Sequence, residues 1–127
     1  MSKPHTFDVQ IYYEDTDLSG SVYHSNYLRY FERAREHFIG PDVLAELWEE
    51  RGLGFVVYEV SMSFKRGAKL SDVLEIRTTA EFESDYRAVF DQSAWLADEE
   101  ERLVEATIDI VCVNDDEDLV PLPGVID

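Results

Sequence analysis

Cysteine is nearly missing from this chain. Cys112 stands alone, so no disulfide can form within it, and a lone thiol fits a reducing compartment. Lysine is scarce as well, found only at Lys3, Lys65 and Lys69. Against 28 acidic residues there are 11 basic ones, for a net charge of −17. Such a chain is repelled by phosphate backbones and anionic bilayers, which argues against nucleic acid and membrane surfaces as partners. No apolar run reaches the roughly 18–20 residues that span a bilayer. The opening MSKPHTFDVQ lacks the apolar core of a secretory signal. A cytoplasmic location without membrane insertion is the expectation. His5, His24 and His37 lack metal-ligand spacing, so no metal is expected. Neither a glycine-rich phosphate loop nor a G-x-S-x-G serine elbow is present.

What is there describes a globular fold. At 127 residues, with 45% hydrophobic and 13% aromatic content, the chain reads as one domain over residues 1–127. Phe7, Val9, Ile11 and Tyr13 alternate like a strand. From about His24 to Ile39, Tyr27, Phe31, Ala34 and Phe38 recur as one helical stripe that Ser25 or Asn26 would cap and Gly40-Pro41 would stop. A second helix is expected over Asp42–Arg51, ending at Gly52. Four β runs follow. Val56, Tyr58, Val60, Met62 and Phe64 share a face in the first, Leu74, Ile76, Thr78, Ala80 and Phe82 in the second. Tyr86 to Ala97 is a third. In the last, Val104, Ala106, Ile108, Ile110 and Cys112 point inward. Short acidic connections favour antiparallel hairpins. The class is therefore α+β, with the long helix on one face of an antiparallel sheet.

The stretch from Tyr12 to Glu36, YYEDTDLSGSVYHSNYLRYFERARE, gathers acids, tyrosines and a histidine around a turn before the best helix. It resembles the 4-hydroxybenzoyl-CoA-thioesterase-like branch of the hotdog-fold thioesterases, and is most similar to acyl-CoA thioesterases associated with the Tol–Pal system. The likeness lies in Y-E-D-T-D, G-x-V-Y-H-x-x-Y and F-E-R-A-R, and continues weakly to the end of the chain. The resemblance implies a five-stranded antiparallel sheet wrapped around a long central helix. It also implies a homodimer or homotetramer with the active site between subunits, acyl-CoA as substrate and no cofactor, coenzyme A being part of the substrate. It puts Asp17 in the catalytic carboxylate position, His24 in that of a site histidine and Tyr13 in that of a site tyrosine. Leu18-Ser19-Gly20-Ser21 departs from the family's usual small-Gly-Gly-apolar run.

The chemistry accounts for these residue types. Thioester hydrolysis builds negative charge on the carbonyl oxygen, and the first N–H groups of a helix are unpaired and sit at its positive end. A helix beginning near Tyr23 to Ser25 would offer such donors, which makes Tyr23 and Ser25 substrate-binding candidates. Asp17 would attack the carbonyl or deprotonate a water, and His24 would orient the carbonyl or protonate the leaving thiolate. Tyr13 would hydrogen-bond the carboxylate. Glu14 and Asp15 read as loop or surface acids. Glu32, Arg33 and Arg35 read as the polar side of the helix, with Glu32 and Arg35 paired. Lys65 and Arg66, with Lys69, concentrate positive charge suited to the phosphates of coenzyme A. Two alternatives remain open: a dehydratase of 3-hydroxyacyl thioesters on the same fold, and a thioester-binding subunit without catalysis.

Overall fold

The computed structural model describes residues 3–126. The elements run β1 (His5–Gln10), a 3-10 turn (Tyr13–Asp15), α1 (Asn26–Ile39), α2 (Pro41–Arg51), β2 (Gly54–Phe64), β3 (Val73–Phe82), β4 (Arg87–Leu96), β5 (Glu101–Val113) and β6 (Leu119–Val120). The strands form one antiparallel sheet in the order β1-β3-β4-β5-β2, and the two-residue β6 pairs with β5. A hotdog architecture is present, with that short sixth strand added to the expected five. Helix α1 packs against β1 and β3.

The period-2 pattern of β5 survives intact: Val104, Ala106, Ile108, Ile110 and Cys112 are all buried. The first four meet Phe31 and Ala34 of α1 and Phe90 of β4 in one core. Burial of each large side chain such as Phe31 or Phe90 contributes roughly 1.5–3 kcal/mol. Gly40, at φ +113, separates the two helices, and Pro41 opens α2 where a missing N–H costs nothing. Gly52 ends α2 at φ +63 and donates its N–H to Leu47 and Trp48.

Three expectations change in the folded chain. The first strand ends at Gln10, and Tyr13 belongs to the 3-10 turn that the Asp15 carboxylate closes by accepting the Tyr12 N–H. In β2 a bulge lies between Val57 and Glu59, so Phe55 and Val57 share a face with Val60, Met62 and Phe64, while Val56 and Tyr58 do not. Arg35 leaves the polar side of α1 entirely. It is only 9% exposed, and its Nη1 donates to Oε1 of Gln92 at 3.0 Å, with no ion pair to Glu32 among the described residues. Gln92 in turn donates to Phe31 O at 3.0 Å and to Thr78 Oγ1 at 2.9 Å. A sheet strand and the helix are thus joined by a buried polar chain.

At the far edge of the sheet β2 lies almost uncovered. Val57, Val60 and Phe64 are exposed on the side that faces the core in the other strands. No helix among the described residues is long and apolar enough to cross a membrane.

Candidate active site

Between β1 and α1 the chain makes a tight hairpin. Thr16 pairs with Val22, the Asp17 N–H donates to Ser21 O at 2.9 Å, and the Gly20 N–H donates to Asp17 O at 3.0 Å. Gly20 takes φ +83, a left-handed conformation that glycine adopts without strain. The hairpin is stapled to the segment after β2. Ser21 pairs with Lys69, and the Val22 N–H donates to Ala68 O at 2.9 Å. The Tyr27 hydroxyl, on the first turn of α1, accepts the Ala68 N–H at 3.1 Å.

Asp17 sits exposed on this hairpin. Its Oδ1 accepts the Ser19 N–H at 2.8 Å and the Ser19 hydroxyl at 2.5 Å. These bonds, the hydroxyl first, hold its carboxyl below the usual carboxylate range. The group is therefore an anion at neutral pH. An aspartate two residues before a serine carries this signal in sequence, because the side chain bonds backbone just ahead of it, and Ser19 was missed there as its partner.

Helix α1 starts at Asn26, two residues later than the periodicity predicts for its onset at His24. Ser25 occupies the N-cap position but makes no side-chain cap bond. The opening amides are partly spent. The N–H groups of Asn26, Tyr27 and Leu28 donate to Tyr23, His24 and Ser25 carbonyls, and the Tyr23 N–H donates to Asp15 O at 3.0 Å. Among the described residues, the His24 and Ser25 N–H groups make no backbone hydrogen bond. The set of unbonded donors is thus narrower than the sequence suggests, and the Tyr23 amide is not among them. The Tyr23 side chain is exposed. That ring packs on the His24 ring at 4.7 Å between centroids, and His24 meets Phe64 edge-on at 6.1 Å.

A cleft of about 220 Å³ opens beside this helix start, lined by Val22, His24, Tyr27, Phe64, Lys65, Arg66 and Gly67. Tyr27 and Phe64 are walls that the sequence reading did not single out; Tyr27 read as core. Lys65 and Arg66 do reach the cleft, but each already faces a carboxylate. Arg66 Nη1 bonds both oxygens of Glu101 at 2.7 and 2.9 Å, and Lys65 Nζ lies 3.5 Å from Glu105. Asp17 itself does not line the cleft. Tyr13 is 82% exposed, and no hydrogen bond links its hydroxyl to Asp17 among the described residues. The fold thus brings His24, Lys65 and Arg66 together, keeps Asp17 on the adjoining hairpin, and leaves Tyr13 outside.

Comparison with known proteins gives these geometries a context. The family model described as the thioesterase-like superfamily matches residues 12–127. Acyl-CoA thioesterase YbgC of Haemophilus influenzae is 36% identical over 111 residues, covering 86% of this chain and 80% of the relative. Acyl-CoA thioester hydrolase YbgC of Escherichia coli O6:H1 is 37% identical over 112 residues, covering 84% and 79%. Among solved structures, a probable thioesterase from Bartonella henselae superposes with a TM-score of 0.86 at 33% identity, covering 94% of this chain and 99% of that one.

Proposed function

Because this chain belongs to the thioesterase-like superfamily and is an acyl-CoA thioesterase, we propose that Asp17 carries its hydrolysis of acyl-CoA to free acid and coenzyme A. One observation carries this reading. An ionised carboxylate, fixed by Ser19, stands on a short hairpin next to Asp15, whose carbonyl accepts Nδ2 of Asn26 at the start of α1, and the nearby His24 and Ser25 N–H groups make no backbone hydrogen bond among the described residues. In this scheme the His24 and Ser25 N–H groups polarise the thioester carbonyl as negative charge develops on its oxygen. Asp17 acts as nucleophile, giving an anhydride that water then opens, or as general base toward water. Either way the C–S bond breaks and the thiolate leaves with a proton from solvent or from His24. A thiolate is a fair leaving group, so His24 contributes less than Asp17. No cofactor takes part, since coenzyme A belongs to the substrate.

The reading extends to the assembly and the lineage. The uncovered apolar row of β2 and its unpaired backbone edge fit a second copy of the chain, so the working unit is a homodimer, or a tetramer of two dimers. A subunit packed there would close the open cleft. We place the whole chain, as one cytoplasmic domain, in the 4-hydroxybenzoyl-CoA-thioesterase-like, Tol–Pal-associated branch, on its Y-E-D-T-D and G-x-V-Y-H motifs. A dehydratase is disfavoured because the aspartate precedes the helix.

The test is Asp17→Asn against a panel of aliphatic and aromatic acyl-CoA substrates, followed by thiol release. Asparagine keeps an acceptor for both Ser19 bonds, so the fold persists. The rate is expected to fall about 10²–10⁴-fold. A folded Asp17→Asn enzyme at wild-type rate would refute the assignment.

A further inference from the structure

Helix α1 covers only part of the sheet. It packs on β1 and β3, and a groove of about 430 Å³ stays open beside its second half. Phe55, Val57, Phe90 and Ile110 are apolar walls of that groove, and Arg35 lines it as a cation only 9% exposed. The guanidinium is held at one corner. Its Nη1 donates to Gln92 Oε1 at 3.0 Å. Gln92 is locked in that orientation, because its own amide donates to Phe31 O and to Thr78 Oγ1. A guanidinium carries five N–H donors, and the rest of those on Arg35 have no acceptor among the described residues. Glu32 and Glu36 border the groove, yet neither pairs with Arg35 among the described residues. Both acids are exposed, so water and salt screen them. A buried charge is costly unless it is paired and hydrogen-bonded. Arg35 is thus a cation short of an anion, set in an apolar wall.

We propose that this groove binds a carboxylate borne on an apolar chain: Arg35 takes the carboxylate with its unused donors, and Phe55, Val57, Phe90 and Ile110 cover the chain. The planar fork of a guanidinium matches the two oxygens of a carboxylate. Neither half of the ligand suffices. A bare anion meets the field of a chain with net charge −17, and a bare alkyl chain leaves the cation unpaired. Two sources of this chemistry follow from the hydrolysis proposed above, on which the inference rests for its ligand alone. One is the free acid that hydrolysis releases. The other is an acyl group whose far end bears a second carboxylate. Arg35 lies about 16 Å along α1 from His24 at 1.5 Å per residue. A zigzag chain advancing roughly 1.3 Å per C–C bond spans that with about a dozen carbons.

The experiment uses the intact protein, Arg35→Lys and Arg35→Met, with decanoate, decanol and acetate as probes. Lysine keeps the charge and a donor for Gln92 but lacks the fork, and methionine removes both. Calorimetry should find decanoate bound to the wild type about tenfold more tightly than decanol, or better, and acetate not bound. Both variants should lose about 10–100-fold in affinity for decanoate and stay within about twofold for decanol, which also reports that the groove is intact. Should methionine fail to fold, the lysine variant carries the test. Equal affinity of the wild type for decanoate and decanol, or decanoate affinity unchanged in Arg35→Lys, would overturn the proposal. Turnover plays no part in these titrations, so Asp17→Asn should bind decanoate as the wild type does. A fully active Asp17→Asn would remove the hydrolytic assignment and leave this site standing. Kinetics then separate the two sources, by kcat/KM for the coenzyme A half-thioester of dodecanedioic acid against dodecanoyl-CoA. A preference of about tenfold that collapses in Arg35→Lys assigns the groove to the far end of the substrate. No preference, beside tight decanoate, assigns it to the released acid.

Discussion

Replacing Gln92 by leucine takes three hydrogen bonds out of the helix–sheet contact without opening a cavity. The bonds lost are those with the Arg35 guanidinium, the Phe31 carbonyl and the Thr78 hydroxyl. Two neutral bonds are worth about 1 kcal/mol each, and the bond to a charged group about 1.5–3 kcal/mol. Added apolar burial returns roughly 1 kcal/mol. The net expectation is a destabilisation of about 3 kcal/mol, which for a domain of this size lowers Tm by roughly 10 °C. Urea unfolding followed by the fluorescence of Trp48 and Trp95 measures it, with the slope m unchanged if only stability has moved. A second variant sharpens the test. Gln92→Leu combined with Arg35→Met should recover part of the loss, because the buried cation no longer lacks an acceptor. A Gln92→Leu protein within about 0.5 kcal/mol of wild type, inside ordinary surface-mutation scatter, would show that the buried chain does not secure α1.

Three further outcomes can be checked. Ser19→Ala removes the largest cause of the depressed Asp17 pKa. The ionised, active form is present above that pKa and lost as pH falls through it, so the acid limb of kcat/KM should move up toward the ordinary value of about 3.9; an unmoved limb refutes the ionised-Asp17 scheme. Reversing charge at Lys65 and Arg66 should raise KM for acyl-CoA severalfold by local repulsion and leave short pantetheine thioesters unaffected, whereas equal effects on both would remove a role in gripping the nucleotide. Val60→Glu puts a charge in the exposed row of β2; light scattering should then find a monomer with lost activity where the wild type is a dimer or larger, and a monomeric, active wild type would sink the paired-edge reading.

Much of the fold is written in periodicity. The β5 alternation and the Tyr27, Phe31, Ala34 stripe translate directly into buried positions. Periodicity fails where one residue breaks the count, as at the β2 bulge, which moves Val57 to the inner face and Tyr58 off it. It fails again at Arg35, where a charged residue goes inside because Gln92, 57 positions away in sequence, supplies an acceptor there. No local pattern announces that distant partner. The motif marked the turn itself: Asp17 lies on the hairpin and His24 just after it. Which amides stay free was not legible, because that depends on the turn bonds at residues 23–28 and on the Asp15 carbonyl. The outward placement of Tyr13 follows from the 3-10 turn, a local geometry that alternating apolar residues conceal.

The two cations at the cleft are already engaged, Arg66 by both oxygens of Glu101 and Lys65 by Glu105. A phosphate arriving there would have to bind by exchange, displacing a tethered carboxylate rather than filling an empty socket. The displaced acid would stay within a side chain's length, ready to reclaim its cation. Any grip these cations gave a nucleotide would be weakened by the same residues that hold them in place, and release would be correspondingly quick.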